Sequence, residues 1–298
     1  MLIPYKLKKT NKLKKVISLA WFESDPDRVD VYGNYIPLLL MGYWVAFPGY
    51  QVRLHTNLDL DKVTHGDLLR AADILTPDRE LFKLVHVEQD DPLCKAMLWR
   101  LLPLFDDDVD YVFCREMDAV PRIKEREACE DFIKTGFALH SINDNKAHIG
   151  MMGGLCGFQV KGFREHIPYD TWDDMITDAP SDLDWLKHLA DQSFLNARIW
   201  WSLQDSTLLH RFAGSDFTLA TQVMEHTKTV VNDVPKDFYD YIEQLPGCLG
   251  ACIPIQPVLE NFDKLGYKIG VKSGRLFCTD NLIIAIKKGL AKRRCQEC

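Results

Sequence analysis

The chain has no apolar run long enough to cross a bilayer. Its stretch "IPLLLMGYWVAF" stops at twelve residues and reads as a buried helix opened by Pro37. It also lacks a compact framework of evenly spaced cysteines. The nine present are scattered, and two of them, Cys114 and Cys156, sit within apolar runs, so reduced thiols in a cytosol-like compartment are expected. The tail pair Cys295 and Cys298 has no second pair and no neighbouring histidine to complete a zinc site. No signal peptide is read at the start: the basic "KLKKTNKLKK" is followed by only seven apolar residues, "VISLAWF", which break into "ESDPDR" without a small-residue cleavage site. A cytoplasmic location is therefore expected. Nor is there an excess of positive charge, since a formal net charge of -7 argues against a general nucleic-acid binder. Internal repeats, low-complexity segments and Gly/Ser linkers are missing too, which leaves one continuous domain as the expectation.

What is present is enough for a large core: 298 residues, 47% of them hydrophobic. Apolar runs and periodic stretches alternate. "KVISLAWF" is predicted as a strand, "YIPLLLMGYWVAF" as a helix, "YQVRLHTN" as a strand after the turn signal Pro48-Gly49, "HGDLLRAADIL" as a helix and "FKLVHVE" as a strand. "LCKAMLWRLLPLF" is predicted as a helix with Leu93, Met97, Leu101 and Leu104 on one stripe, and "DYVFC" as a strand buried on both faces. This order predicts an α/β fold, a mainly parallel central sheet flanked by helices, with the ligand at the carboxyl ends of the strands.

At one such end stand Arg115, Glu116 and Asp118. Two carboxylates one residue apart can offer oxygens to a hard cation, Mn²⁺ or Mg²⁺, and such a cation suits an anionic diphosphate. Taken alone, the same cluster also fits a solvated acidic turn with Arg115 paired to a neighbour. Arg100 and Arg115 are candidate phosphate contacts, because the guanidinium fork matches phosphate oxygens; each is equally a candidate for a structural ion pair. The glycines of "GMMGGLCGF", Gly153 and Gly154, suit a close backbone approach to a ligand, or a plain tight turn. Asp191 is a candidate general base, or a residue capping the helix that follows it. His210 offers an imidazole after an apolar run.

The run from Met97 to Phe158 resembles a GT-A-type glycosyltransferase-like family whose pattern is Trp-Arg-Phe, Arg-Asp-x-Asp-Ser, Arg-Glu, His-x-x-Arg-Asp-x-x-x-His and Gly-Gly-x-Trp-Gly. Trp99-Arg100, then Arg115 through Asp118, Arg126-Glu127, His140 through Asp144 to His148, and Gly153-Gly154-Leu155-Cys156-Gly157 stand for those blocks in order. Downstream, "DQSFLN" resembles the family's Asp-Gln-x-Phe-Leu block, which is similar to that of glycogenin-like retaining transferases. The likeness covers roughly residues 15 to 215. It implies a GT-A-like (Rossmann-like) domain over residues 1–217, with a nucleotide-binding half at about 15–120 and an acceptor half at 121–217, followed by an extension over 218–298. It also implies a metal-dependent glycosyltransferase with a slight lean to retention, which takes a nucleotide-diphosphate sugar, a UDP-sugar foremost, to an acceptor glycan, protein, lipid or modified base. By the same resemblance Glu116, Asp118 and His210 would hold Mn²⁺ or Mg²⁺, Asp191 and Gln192 would be catalytic, and Arg100, Arg115, Asp144, His148, Gly153 and Gly154 would bind the donor. The chain departs from the pattern at Glu116, Ala119, Asn143 and Leu155-Cys156, so Asp118 is the safer ligand of the acidic pair. A sugar nucleotidyltransferase and a non-catalytic carbohydrate-binding protein are the alternatives. The helix "NLIIAIKKGLAKRR", apolar on one side and basic on the other, is expected to pack on the main domain or to touch an anionic membrane weakly.

Overall fold

A computed structural model of the chain describes residues 13–22, 43, 46–59, 82–117, 121, 123–143, 150–212, 230–234, 269–272 and 275–278. The helices expected over 35–47 and 65–75, apart from residues 43, 46 and 47, lie outside these residues, as do the 118–120 and 144–149 segments and the basic C-terminal helix.

The strands are β1 (Lys15–Ala20), β2 (Gln51–Thr56), β3 (Phe82–His86), β4 (Tyr111–Cys114), β5 (Leu139–Asn143), β6 (Cys156–Gln159), β7 (Thr207–Phe212) and β8 (Val230–Val234). They form one sheet in the order β3-β2-β1-β4-β6-β5-β7-β8. All neighbours run parallel except around β6, which is antiparallel to both β4 and β5. The expected α/β class with a mainly parallel sheet flanked by helices is what the chain adopts. β8 lies past residue 217 and still joins this sheet, while β9 (Ile269–Lys272) and β10 (Arg275–Cys278) pair as a separate antiparallel hairpin.

The central strands are buried on both faces, as their unbroken apolar runs require. Side chains alternate across β4. Tyr111 and Phe113 join a core with Trp21, Phe47, Tyr50 and Phe132, whereas Val112 and Cys114 join one with Trp99, Phe158, Phe163, Phe194 and Trp200. On the first side Phe113 meets Phe132 edge-on at 6.1 Å and Tyr50 at 5.7 Å. Phe132 belongs to α2 (Ile123–Thr135), the helix that "RIKERE" begins.

Gly157 on β6 stands opposite Phe113, and a Cβ there would lie 2.5 Å from that ring. The ring is locked between Tyr50, Tyr111 and Phe132, so it cannot yield cheaply. Gly157→Ala is expected to cost about 1–3 kcal/mol in a denaturant titration, the range for overpacked cores. A loss within a few tenths of a kcal/mol would show that the ring has room.

The segment expected as one α-helix at 93–105 differs. Only α1 (Leu93–Ala96) is α-helical, and Met97–Phe105 continues as a nine-residue 3₁₀ helix. Pro103 lies inside it, lacks an N–H and in α geometry would press its ring on the carbonyl of Trp99; the tighter winding avoids that contact. The winding also changes which side chains are covered: Leu98, Trp99 and Arg100 are all buried, so the segment is enclosed rather than striped. The remaining described helices are α3 (Val160–His166), α4 (Trp172–Thr177) and α5 (Ala190–Phe194), which runs on through a π-type turn, Leu195–Trp200, a last α-turn, Trp201–Leu203, and a 3₁₀ turn, Gln204–Ser206. Among the described residues no helix is long and apolar enough to cross a membrane.

Candidate active site

Because β6 runs against its neighbours, the turn that leads into it lies at the same sheet edge as the carboxyl ends of β1 and β4. Trp21 and Phe22 after β1, Glu116 and Met117 after β4, and the Gly153-Gly154 turn before β6 therefore converge there. With the start of α5 and the 3₁₀ segment they enclose a cleft of about 240 Å³.

Three charged groups meet in it. Arg100 is buried, and its Nη1 donates to Glu116 Oε1 at 2.6 Å, while its Nη2 lies 3.6 Å from Asp191 Oδ2. Nη2 makes no hydrogen bond among the described residues, although it is buried. A guanidinium N–H left in this way is costly unless a ligand oxygen accepts from it. Burial works against the charge on Arg100, but Glu116 and Asp191 outweigh it and hold the group cationic. Burial pushes the Asp191 carboxyl above the ordinary carboxylate value; Arg100 pulls it down and Glu116 pushes it up again. Asp191 does not cap its helix. That position is Leu189, which carries no side-chain cap and has φ +67°, a left-handed conformation costing a non-glycine residue about 1–2 kcal/mol. Leu189 itself lines the cleft.

Gln192 faces the glycine turn. Its Oε1 accepts from the Gly153 N–H at 3.0 Å and its Nε2 donates to Met151 O. One helical turn on, Asn196 accepts from Met151 N at 3.2 Å and donates to Gln192 O at 3.1 Å. From β5, Ser141 Oγ donates to Gly150 O at 3.1 Å and accepts from Met152 N at 3.0 Å. The 150–154 loop is thus laced from two sides. Asn196 and Ser141 were not among the expected site residues. The Gln192–Asn196 spacing of four was a readable signal, but Ser141 reaches the loop only through the sheet topology.

Gly154 has a specific reason to be glycine. A Cβ on it would lie 2.1 Å from Glu116 Oε1 and 2.5 Å from Glu116 Cγ. Glu116 therefore crosses directly over Gly154 to reach Arg100. Gly154→Ala is expected to expel the carboxylate and cost about 1–3 kcal/mol, and the cost should shrink when Glu116→Asp shortens the reach. A double-mutant cycle by denaturant titration reads this coupling, and strict additivity would refute it.

Arg115 and His210 were expected in the site, and the structure turns both side chains elsewhere. Arg115 is buried: Nη1 donates to Cys114 O at 2.7 Å and to Cys156 O at 2.8 Å, Nη2 to Cys129 Sγ at 3.1 Å, and Nε to Glu125. With four of its five N–H donors engaged in this way it braces β4, β6 and α2. His210, on β7, is buried with a ring nitrogen 2.7 Å from His140 on β5. Neither residue lines the cleft. Asn143, where the family pattern has Arg, is buried at the end of β5, with its Nδ2 lacking a partner among the described residues. Asp118, Asp144 and His148 lie outside the described residues.

The described residues contain no group of three His, Cys, Asp or Glu side chains able to hold a metal. Glu116 is engaged by Arg100, and His210 by His140.

No family model matches the chain, and no curated protein matches it. Among solved structures, an active-site mutant of LgtC is 14% identical over 85% of this chain and 95% of that one, with a TM-score of 0.46. The glycosyltransferase GlyE of Streptococcus pneumoniae TIGR4 is 13% identical over 76% of this chain and 56% of that one, at 0.44. A cytidylyltransferase from Leptospira borgpetersenii serovar Hardjo-bovis is 10% identical over 94% and 96%, also at 0.44. Likenesses of this size carry no residue-by-residue correspondence.

Proposed function

We propose that the chain is a glycosyltransferase acting on a nucleotide-diphosphate sugar, foremost a UDP-sugar, with Asp118 holding Mn²⁺ or Mg²⁺. The observation that carries this reading is the buried Arg100 between Glu116 and Asp191, with one N–H unpartnered, at the edge where parallel-sheet folds bind ligands. Arg100 Nη2 is placed to donate to a ligand oxygen, and Asp191 to accept from a sugar hydroxyl. Gln192, tied to Gly153 and Met151, sets the backbone the sugar would lie against. Trp21 and Phe22 form an aromatic wall of the same cleft, suited to a base or sugar face. The cation would supply one thing, charge neutralisation on the departing diphosphate. A raised Asp191 pKa suits a group that exchanges a proton with a hydroxyl, and the reading leans to retention. The acceptor is a hydroxyl-bearing glycan, protein, lipid or modified base.

Thermal shift with nucleoside diphosphates and their sugars, with and without Mn²⁺, followed by donor hydrolysis, tests the proposal. Metal-dependent stabilisation is expected, with release of free nucleoside diphosphate that Asp118→Asn abolishes. Pyrophosphate release from a nucleoside triphosphate and sugar phosphate would instead make the chain a nucleotidyltransferase. Sugar binding without any nucleotide response would make it a carbohydrate-binding protein.

A further inference from the structure

Beneath the cleft floor lie two buried thiols that the proposed transfer reaction does not use. The pairing of β4 with β6 aligns Val112 with Phe158 and Phe113 with Gly157, so the next position sets Cys114 opposite Cys156. Their side chains fall on the same face of the sheet, in the same core. Residues directly opposite on antiparallel strands have Cα atoms about 4.5–5.5 Å apart. A disulfide spans about 4.4–6.8 Å between Cα atoms, a range that covers the spacing of directly opposed residues. The third buried cysteine nearby, Cys129, belongs to the core on the other face.

We propose that Cys114 and Cys156 are a modification site: a dithiol that a small peroxide oxidises reversibly to a disulfide. The position of the bond gives it consequence. Cys114 precedes Glu116 by two residues and Cys156 follows Gly154 by two, so a bridge staples the strand that carries the cleft carboxylate to the turn it crosses. Cys114 Sγ also donates to Arg100 O at 3.5 Å and Cys156 Sγ to Gly153 O at 3.6 Å, and both contacts end when the thiol protons leave. Arg100 and Arg115 flank the pair. Burial raises the Cys156 thiol pKa, but neighbouring Cys114 and the two guanidinium groups outweigh it and favour the thiolate.

The chemistry balances with hydrogen peroxide as oxidant. The Cys156 thiolate attacks one peroxide oxygen, the O–O bond breaks, and the departing hydroxide takes a proton to leave as water. The resulting sulfenic acid is then attacked by the Cys114 sulfur. The S–S bond forms, the S–O bond breaks, and the second oxygen leaves as water with the Cys114 proton. Two thiols lose two electrons and one peroxide becomes two waters. Both residues are almost fully buried, so only a small oxidant is expected to react, and slowly.

The disulfide does not depend on the glycosyltransferase reading, and its test does not use activity. The full chain is treated with hydrogen peroxide, alkylated under denaturing conditions and mapped by peptide mass spectrometry, with and without later dithiothreitol. A linked peptide containing Cys114 and Cys156, lighter by two hydrogens and released by dithiothreitol, is expected. Glutathione disulfide at matched oxidising equivalents should give much less of it. In Cys114→Ser the linkage should vanish and Cys156 should collect sulfenic or sulfinic acid. If both residues are fully alkylated while other cysteines oxidise, or if either one links to Cys129 instead, the assignment is overturned.

Discussion

Arg100→Met is expected to lower the unfolding free energy by about 3–5 kcal/mol at neutral pH, the cost of leaving buried charge without its partner. Met keeps most of the aliphatic volume, so the loss reports charge rather than packing. Asp191 is nearly as buried as Arg100, and no other cation is paired with it among the described salt bridges. The sign of the pH dependence follows from Asp191. Its folded pKa is already raised, and removing Arg100, which pulls it down, raises it further. A carboxyl with a raised folded pKa favours the fold while protonated and loses that contribution as pH rises above its unfolded value, about 3.9. The deficit of the variant should therefore be greatest near pH 7 and shrink as the pH is lowered toward 4. Denaturant titrations at pH 7 and pH 5 measure it. As a control, Lys134→Ala removes an exposed pair with Asp131 and should change stability by about 0.5 kcal/mol or less. A deficit for Arg100→Met that is small or independent of pH would mean that the cleft carboxylates are already solvated.

Acid should destabilise the parent chain steeply between about pH 6.5 and pH 4. Three buried histidines drive this. Burial pulls His55 down to about 4, and a hydrogen bond to Leu19 O offsets only part of that shift; burial does the same to His210. His140, stacked on Phe132 at 5.2 Å and in contact with His210, is shifted in the same direction by burial and by the charges of His210 and Arg115. A histidine with a depressed folded pKa stabilises the fold when neutral. That contribution is complete above the unfolded pKa near 6.5 and lost as pH falls through the folded value. For His55 and His210 a shift of this size corresponds to about 3 kcal/mol each. His210→Gln should flatten the dependence over that range. An acid limb that is the same in His210→Gln as in the parent would assign it to other groups.

The parts of the fold that were legible in the sequence are those written in local pattern. β1, β2, β3 and β4 fall where they were predicted, β1 and β4 because a strand covered on both faces has to be apolar throughout, and β2 because apolar and polar residues alternate along it. Arg100, Glu116, Asp191, Gln192 and the Gly153-Gly154 turn were all named from the sequence, and the fold brings them into one cleft. The inward turn of Arg115 was not legible, since a residue just past a strand end reads the same whether it faces a ligand or Glu125. The same is true of His210, whose partner lies seventy residues earlier on a neighbouring strand. The 3₁₀ winding around Pro103 was missed because the apolar spacing of 93–105 satisfies an α-helix, and one proline decided otherwise.

The crossing of Glu116 over Gly154 also sets the order in which this site can drift. A lineage that first gained a side chain at 154 could not then lengthen the carboxylate at 116, while one that kept glycine could exchange Asp and Glu freely. The two positions behave as a ratchet: glycine keeps both carboxylates accessible to evolution, and its loss fixes the shorter one. Among homologous chains, Glu at this position should therefore occur only together with glycine at the other, whatever the rest of the cleft has become.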